Sequence, residues 1–251
     1  MKTVSLFGDA VHSGSLILVN RDHPVYGGLC EKRLAPLKGG GFNVRVDERA
    51  ASILQKLSAD LNCDEQIIVS SGYRSNSEQK QIYSDSLYDN GADFTEKYVA
   101  VPGCSEHQTG LAVDLALNQP EIDALRPYFP YVGICGDFRE RAVKFGFIER
   151  YPKGKEDITG IAHEPWHFRF TGAPHSRIMR EMGIVLEEYI SLLKEFPYGT
   201  RPLRYSFDGA PIEISYLAAG KGATFFEVGD NMPYSVSGDN IGGFIITVWK
   251  N

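Results

Sequence analysis

The sequence has no excess of basic residues and no long hydrophobic run. Its 251 residues include 26 Lys and Arg against 32 Asp and Glu, which gives a net charge of -6. Because phosphate recognition needs a local surplus of Lys and Arg, we expect no nucleic-acid partner. No segment approaches the roughly 20 apolar residues of a membrane span, and no apolar stretch of signal-peptide length follows Met1. We therefore expect a cytoplasmic protein that acts on small molecules.

Cysteine is also sparse. Cys30, Cys63, Cys104 and Cys135 are far apart in the sequence and form no CxxC pair. A chain of this length does not need disulfides to stabilise its core. We therefore predict reduced, structural thiols.

Helical and strand patterns alternate through most of the chain. Ser75 and Glu78 have the spacing of a capping box and predict a helix that ends near residue 90. Residues 111–117 and 166–170 have the composition of strands. One long helix is predicted from Pro174 to the residue before Pro197. These elements together predict an α+β fold.

The pattern changes after Pro197. Residues 212–217, 224–228 and 244–249 are rich in β-forming residues and alternate with Gly, Asp and Asn turns. This composition predicts a small all-β appendage of three to five strands. We therefore expect a catalytic domain over residues 1–197 and an appendage, of unassigned role, over residues 198–251.

Two short segments supply the ligands that zinc prefers. Residues 105–114 contain His107 and Asp114, and His167 follows about fifty residues later. Three such donors leave a fourth position of the metal open for water, as in catalytic zinc sites. The small residues Gly110 and Ala112 allow a turn that leads Asp114 into a strand. The alternative is that the three residues are an unrelated loop histidine, turn acid and strand histidine.

The second segment also matches the HExxH pattern formally, because His163 and Glu164 precede His167 with the required spacing. That pattern binds zinc only on a helix, where residues four apart share a face. Pro165 would destabilise a helix interior by roughly 3 kcal/mol, and the flanking residues favour a strand. We therefore expect His163 to lie near the site without binding the metal.

Other residues in these segments can take part in hydrolysis. Glu164 can act as a general base beside a metal site, or it can instead only orient His167. Arg74 follows a predicted strand and can stabilise an oxyanion, although an arginine at such a position is often structural. Gln79, one helical turn later, can hydrogen-bond a substrate carboxylate or carbonyl.

Taken together, the segments resemble the signature of the zinc D,D-peptidases related to VanX and VanY. The shared features are the SxHxxGxAxD stretch at 105–114, the Glu-Pro-Trp-His segment at 164–167 and the Tyr-Arg-Ser turn at 73–75. The resemblance extends over about residues 14–195. It implies a compact α+β fold with a central antiparallel sheet and flanking helices.

The resemblance also implies a role for each matched residue. His107, Asp114 and His167 would be the ligands of a Zn²⁺ cofactor. Glu164 would be the catalytic base, and Arg74 would stabilise the transition state.

The implied substrates are small peptides. Ser105 and Gln79 match substrate-contacting positions, and the family hydrolyses D-Ala-D-Ala or removes the terminal D-Ala of peptidoglycan pentapeptide precursors, which gives vancomycin resistance. Because no leader is evident, the chain resembles the cytoplasmic VanXY type, which acts on both substrates. Two alternatives stay open: an L,D-carboxypeptidase or peptidoglycan endopeptidase on the same scaffold, and a non-catalytic zinc-binding module.

Overall fold

The structure is a computed structural model that describes residues 1–27, 33–37 and 44–250. Cys30 lies outside the described residues. The three described cysteines, Cys63, Cys104 and Cys135, are free thiols. In the described part of the chain, no helix has both the length and the apolar character needed to cross a membrane.

The described residues form a mixture of helices and antiparallel strands. In chain order the strands are β1 (Lys2–Leu6), β2 (Leu34–Pro36), β3 (Arg45–Asp47), β4 (Ile67–Ser71), β5 (Ala112–Leu117), β6 (Phe147–Tyr151), β7 (Glu164–Phe170), β8 (Leu203–Phe207), β9 (Ala210–Ala218), β10 (Thr224–Val228), β11 (Tyr234–Gly238) and β12 (Gly243–Trp249). The α-helices are α1 (Glu48–Leu61), α2 (Asn76–Asn90), α3 (Ala92–Tyr98), α4 (Gly133–Ala142), α5 (Glu156–Thr159), α6 (His175–Met182) and α7 (Leu186–Leu193). The predicted α+β class is confirmed.

The chain divides into two compact units. Val19–Val185 form one, which we call the α+β unit, and Met1–Leu18 together with Leu186–Asn251 form the other, which we call the β-rich unit. The predicted functional division into residues 1–197 and 198–251 stays a prediction, because compact packing does not test which residues catalysis requires.

The α+β unit is built on a four-stranded antiparallel sheet. Its strand order is β4-β5-β7-β6, which confirms the central antiparallel sheet. Flanking helices begin where the sequence supplies N-caps. At the start of α1, the Asp47 carboxylate accepts hydrogen bonds from the backbone N–H groups of Arg49 and Ala50. At the start of α2, Ser75 and Glu78 form the predicted capping box. Such caps satisfy backbone donors that the first helical turn leaves unpaired.

The single long helix predicted after Pro174 is wrong. The segment forms α6 and α7, separated at Gly183. Gly183 has a left-handed conformation with φ of 65°, and its N–H and that of Ile184 bond to carbonyls in the last turn of α6. This glycine cap ends a helix that the apolar periodicity would otherwise continue.

The β-rich unit contains the five strands β8–β12 that follow Pro197. Four of them form a separate antiparallel sheet of order β11-β12-β9-β8, which confirms the predicted β-rich appendage. The remaining strand, β10, pairs with β1, so Lys2 faces Val228 across a sequence separation that local patterns do not report. Phe226, Val228 and Ile246 form a buried apolar cluster in this unit.

Candidate metal centre and active site

The sheet register brings two of the predicted ligands face to face. Asp114 on β5 lies directly opposite His167 on β7. A register shift of one residue would turn either side chain to the other face of the sheet. The close approach of these two side chains therefore follows from strand pairing.

His107 reaches the same place from a short 3₁₀ helix, Glu106–Thr109. Gly110 ends that helix in the left-handed region with φ of 68°, and the chain then enters β5. This turn is the one that the small residues of the motif predicted. The His107 ring lies 2.7 Å, through Nδ1, from the carbonyl oxygen of Gly72. A Cβ atom on Gly72 would come within 2.5 Å of a Val44 methyl group, so only glycine fits there.

The three side chains present a compact set of metal-binding atoms. The ligand atoms of His107, Asp114 and His167 all lie within 4.8 Å of one another, and all three residues are buried. His107 Nε2 is 3.2 Å from one oxygen of Asp114, and His167 Nδ1 is 3.0 Å from the other. Nε2 of His107 is buried without a hydrogen-bond partner. Two imidazole nitrogens and a carboxylate suit zinc with one coordination position open, so the residues present fit the metal.

Their protonation is set by burial and by the shared carboxylate. Burial and the charge of Arg74 lower the pKa of His107 to about 4, so its ring is neutral and has a free lone pair. Burial would lower the pKa of His167 as well, but the hydrogen bond to Asp114 and the nearby carboxylates of Glu106 and Glu164 outweigh it and raise that pKa to about 9. Burial acts to raise the pKa of Asp114, yet the two histidines hold it well below its usual range.

Glu164 is the first residue of β7 and lies opposite Tyr151 on β6. Its Oε2 atom is 3.7 Å from His167 Nδ1, at the edge of the metal-binding atoms. Burial raises the pKa of Glu164 to about 8, and the negative charge of Asp114 adds to this effect. A carboxyl group with such a pKa gains and loses a proton near neutral pH, as a general acid–base requires.

The strand excludes the HExxH interpretation. Glu164–Phe170 are extended, so His163 and His167 do not share a helical face. His163 Nε2 instead lies 2.7 Å from the Tyr131 hydroxyl, and the two rings stack.

Arg74 lies between β4 and α2, and its guanidinium connects two other site residues. It donates to Gln79 Oε1 at 3.1 Å and to Asp114 Oδ2 at 3.3 Å. Its Nε atom is buried without a partner. The amide of Gln79 also donates to the Ala100 carbonyl at 2.8 Å, so this side chain holds Arg74 in place. A direct contact between Gln79 and substrate stays a prediction.

One cavity contains every residue that the sequence nominated. The polar residues at its wall are Arg74, Gln79, Ser105, Glu106, His107, Asp114, Glu164 and His167. The apolar and aromatic ones are Ile82, Tyr98, Val99, Ala100, Ala124, Leu125, Tyr151, Ile161 and Trp166. The cavity therefore combines a cluster of catalytic-type groups with apolar surface that can contact a small ligand.

Sequence reasoning missed Glu106, which lies beside a ligand in the first motif. Its side chain is fully buried and accepts from Arg150 at 2.8 Å and from Arg169 at 2.7 Å. Burial would raise the pKa of Glu106, but the two arginines outweigh it and hold that pKa far below its usual range. The signal was available, because Arg169 stands between Phe168 and Phe170 in a strand. A charge buried in such a strand needs a partner of opposite sign and hydrogen-bond acceptors for its donors.

The chain is similar to known proteins in both sequence and structure. The VanY family model, described as D-alanyl-D-alanine carboxypeptidase, matches residues 43–173, a range that includes all the site residues. The bifunctional D-Ala-D-Ala dipeptidase and D-Ala-D-Ala carboxypeptidase VanXYC of Enterococcus gallinarum is 36% identical over 182 residues, which cover 72% of this chain and 96% of the relative.

Two solved structures extend the similarity. The vancomycin resistance D,D-dipeptidase VanXYg, in complex with a D-Ala-D-Ala phosphinate analogue, is 44% identical and covers 99% of both chains with a TM-score of 0.96. A variant of the D,D-pentapeptidase VanY from a VanB-type resistance cassette, in complex with Zn(II), is 33% identical with a TM-score of 0.57. It covers 70% of this chain and 98% of its own.

Proposed function

This chain belongs to the VanY family of D-alanyl-D-alanine carboxypeptidases, and we propose that it is a zinc-dependent peptidase that removes the terminal D-Ala of peptidoglycan pentapeptide precursors. It also hydrolyses free D-Ala-D-Ala, and the two activities give resistance to vancomycin. One observation carries the proposal: the metal-binding set, Glu164 and Arg74 converge on a single cavity.

The proposed metal ligands are His107, Asp114 and His167. His107 has its Nδ1 against the Gly72 carbonyl and presents Nε2, whereas His167 presents Nδ1 toward Asp114 and Glu164. When bound, Zn²⁺ acts as a Lewis acid that lowers the pKa of water to about 7 and polarises a carbonyl. The Zn(II) complex of the VanY relative supports this choice of metal.

Glu164 performs the proton transfers in this proposal. It accepts a proton from the attacking water and returns it to the nitrogen of the departing D-Ala, which leaves as a neutral amine. Glu164 is buried, and its position 3.7 Å from His167 places it beside the proposed metal ligands.

Arg74 stabilises the negative charge that develops on the carbonyl oxygen. Gln79 and Asp114 hold its guanidinium at the cavity wall, so little reorganisation is needed during the reaction. Ser105, which lines the same cavity, and Gln79 are proposed substrate contacts.

The substrate assignment is supported by the relatives. A D-Ala-D-Ala phosphinate analogue binds the VanXYg relative, and a tetrahedral phosphinate resembles a peptide carbonyl after addition of water. We place the activity in the cytoplasm, because both proposed substrates are made there. Removal of terminal D-Ala deprives vancomycin of its target.

The direct test is release of D-Ala by the zinc-loaded protein. Free D-Ala-D-Ala, the muramyl pentapeptide precursor and the corresponding tetrapeptide are compared, with Glu164→Gln as the blank. We expect release from the first two, lost in the variant. Release from the pentapeptide alone would reduce the function to a carboxypeptidase, and release from the tetrapeptide alone would favour the L,D-carboxypeptidase. Release from none would contradict the peptidase assignment.

A further inference from the structure

We propose that Glu106, held by Arg150 and Arg169, is a positioning residue that accepts a hydrogen bond from His167 Nε2 and thereby presents His167 Nδ1 to the metal. The inference deepens the proposed function, because it rests on the metal site assigned there. It concerns a buried carboxylate that is neither a proposed metal ligand nor the proposed base, and the role proposed for Glu106 acts through His167.

The first observation is a matched pair of unsatisfied atoms. Glu106 Oε2 and His167 Nε2 are both buried without a hydrogen-bond partner, and they lie 3.6 Å from each other. Leaving a buried polar atom unpaired destabilises the fold, and the effect is larger for a charged group. A proton on Nε2 that donates to Oε2 satisfies both atoms in one contact.

The second observation is that both arginines bond to the same oxygen of the Glu106 carboxylate. Arg150 Nε and Arg169 Nη1 both donate to Oε1, at 2.8 Å and 2.7 Å. Both arginine side chains and the Glu106 side chain have no exposed surface. The arginines anchor one oxygen and leave the other directed toward His167.

The third observation concerns the opposite edge of the His167 ring. Nδ1 lies 3.0 Å from Asp114 and 3.7 Å from Glu164, so this nitrogen faces the metal-binding atoms. An imidazole that binds a metal must be neutral, with a hydrogen on one nitrogen and a lone pair on the other. A hydrogen on Nε2 therefore directs the lone pair of Nδ1 toward the proposed metal.

A purely structural role is the competing explanation. Two buried arginines need a carboxylate to compensate their charge, and this need alone would account for Glu106. Compensation of charge makes no demand on which nitrogen of His167 carries the proton. The tautomer of His167 consequently distinguishes the two roles.

The decisive experiment uses the unaltered protein. We would load ¹⁵N-histidine-labelled protein with ¹¹³Cd and record the one-bond couplings between cadmium and each ring nitrogen. The expected result is coupling to Nδ1 of His167, together with a strongly downfield proton on its Nε2. Coupling through Nε2 of His167 would overturn the inference, since that nitrogen would then carry no hydrogen to donate.

A variant tests the carboxylate itself. In Glu106→Gln the charged acceptor is lost, and we expect zinc affinity, measured by chelator competition, to fall about 10–100-fold, as for other partners of metal-bound histidines. The His167 Nε2 proton should also move upfield. If affinity and proton shift both stay at wild-type values, Glu106 does not position His167.

Glu149→Gln is the matched control. Glu149 is also a largely buried carboxylate on the central sheet and pairs with Arg139 at 2.6 Å, but it contacts His163 rather than a proposed ligand. We expect its zinc affinity to stay within about twofold of wild type, so an equal loss in both variants would assign the effect to general destabilisation. If Glu106→Gln fails to fold, the cadmium couplings of the wild-type protein still show which nitrogen of His167 binds the metal.

These readouts separate the inference from the proposed function, because none requires a peptide substrate. Cadmium bound at His107 and His167 with the wrong His167 nitrogen would overturn the positioning role alone. If cadmium couples to neither His107 nor His167, both the proposed metal site and this inference would be overturned.

Discussion

The two compact units bury polar groups in different ways. In the β-rich unit, Asp239 is fully buried, and its Oδ1 accepts the backbone N–H groups of Ile241, Gly242 and Gly243. Its other oxygen accepts the Tyr216 hydroxyl. This carboxylate is fully occupied within the protein and has a structural role.

In the α+β unit, buried polar atoms remain unsatisfied. Among the described residues, buried side-chain atoms without a hydrogen-bond partner occur only around the candidate active site: Arg74 Nε, Glu106 Oε2, His107 Nε2 and His167 Nε2. Unsatisfied groups destabilise a fold, so their concentration at one place indicates a ligand or a functional constraint. The comparison shows that burial of charge alone does not mark an active site, whereas incomplete pairing does.

Metal removal should have the largest effect, because it should abolish activity at the site in the α+β unit and leave the structure of the β-rich unit unchanged. We expect a chelator to reduce D-Ala release to background and zinc to restore it, because the three ligands supply no Lewis acid of their own. The β-rich unit should keep its strand structure, since its described core is apolar. Circular dichroism recorded alongside the assay checks this. Full activity in the chelated protein would contradict the zinc mechanism.

Glu164→Gln should lower kcat by about 10²–10⁴-fold, because the amide cannot exchange a proton with water or with the leaving amine. We expect zinc affinity to remain within a few-fold of wild type, as Glu164 is not a proposed ligand. Steady-state kinetics and chelator competition on the same preparation measure both quantities. A variant with wild-type kcat would remove Glu164 from the mechanism.

Arg74→Lys should lower kcat by about 10²-fold, because lysine keeps the charge but loses the planar group that bonds both Gln79 and Asp114. The matched control is Arg204→Lys in the β-rich unit, whose arginine is exposed and pairs with Glu213. Its kcat should not change. Equal kinetics in both variants would show that the orientation of Arg74 is irrelevant.

Asp239→Ala should destabilise the β-rich unit and leave kcat unchanged in the folded protein. The variant loses an acceptor of several charge-assisted hydrogen bonds, and we expect the free energy of unfolding to fall by about 1.5–3 kcal/mol. Urea denaturation followed by tryptophan fluorescence measures it. A large loss of kcat at temperatures where the variant is folded would contradict the division of roles between the units.

The smallest effect is expected at Glu213. Its hydrogen bond to Lys250, and the nearby charge of Arg204, lower its pKa. The ionised form is thus favoured by folding, so the contribution is present above the unfolded pKa of about 4.3 and is lost as pH falls through the lowered folded value. At neutral pH, Glu213→Gln should reduce stability by less than about 1 kcal/mol, because the pair is partly solvated. At acidic pH the two proteins should unfold alike, and a difference that grows on acidification would have the wrong sign.

Much of the local structure was predictable because it depends on neighbouring residues. The capping box at Ser75 and Glu78 and the turn at Gly110 depend on a few consecutive positions, and both formed as predicted. Gly183 shows the limit of this approach. Apolar periodicity continues past this glycine. The helix nevertheless ends there, because the left-handed glycine cap satisfies the last carbonyls of α6.

In the candidate site, the identity of the residues could be predicted from the sequence, whereas the distances between them could not. Chemistry restricts zinc ligands to a few residue types, so the motifs alone nominated His107, Asp114 and His167. Their mutual distances depend on strand register, which placed Asp114 opposite His167 across fifty residues of sequence. Glu106 was visible in the motif, but its contacts with Arg150 and Arg169 arise only when three distant segments pack together.

The amino-acid order was thus sufficient to specify the donor atoms, the caps, the turns and the β-rich character of the C-terminal segment, because each depends on residue chemistry or on short-range backbone preference. Three features required the folded chain. They are the pairing of β1 with β10, the alignment of the proposed ligands and the partners that neutralise each buried charge. These features depend on contacts between residues that are distant in sequence. Their free energy comes from burial and register, which no local window of residues contains.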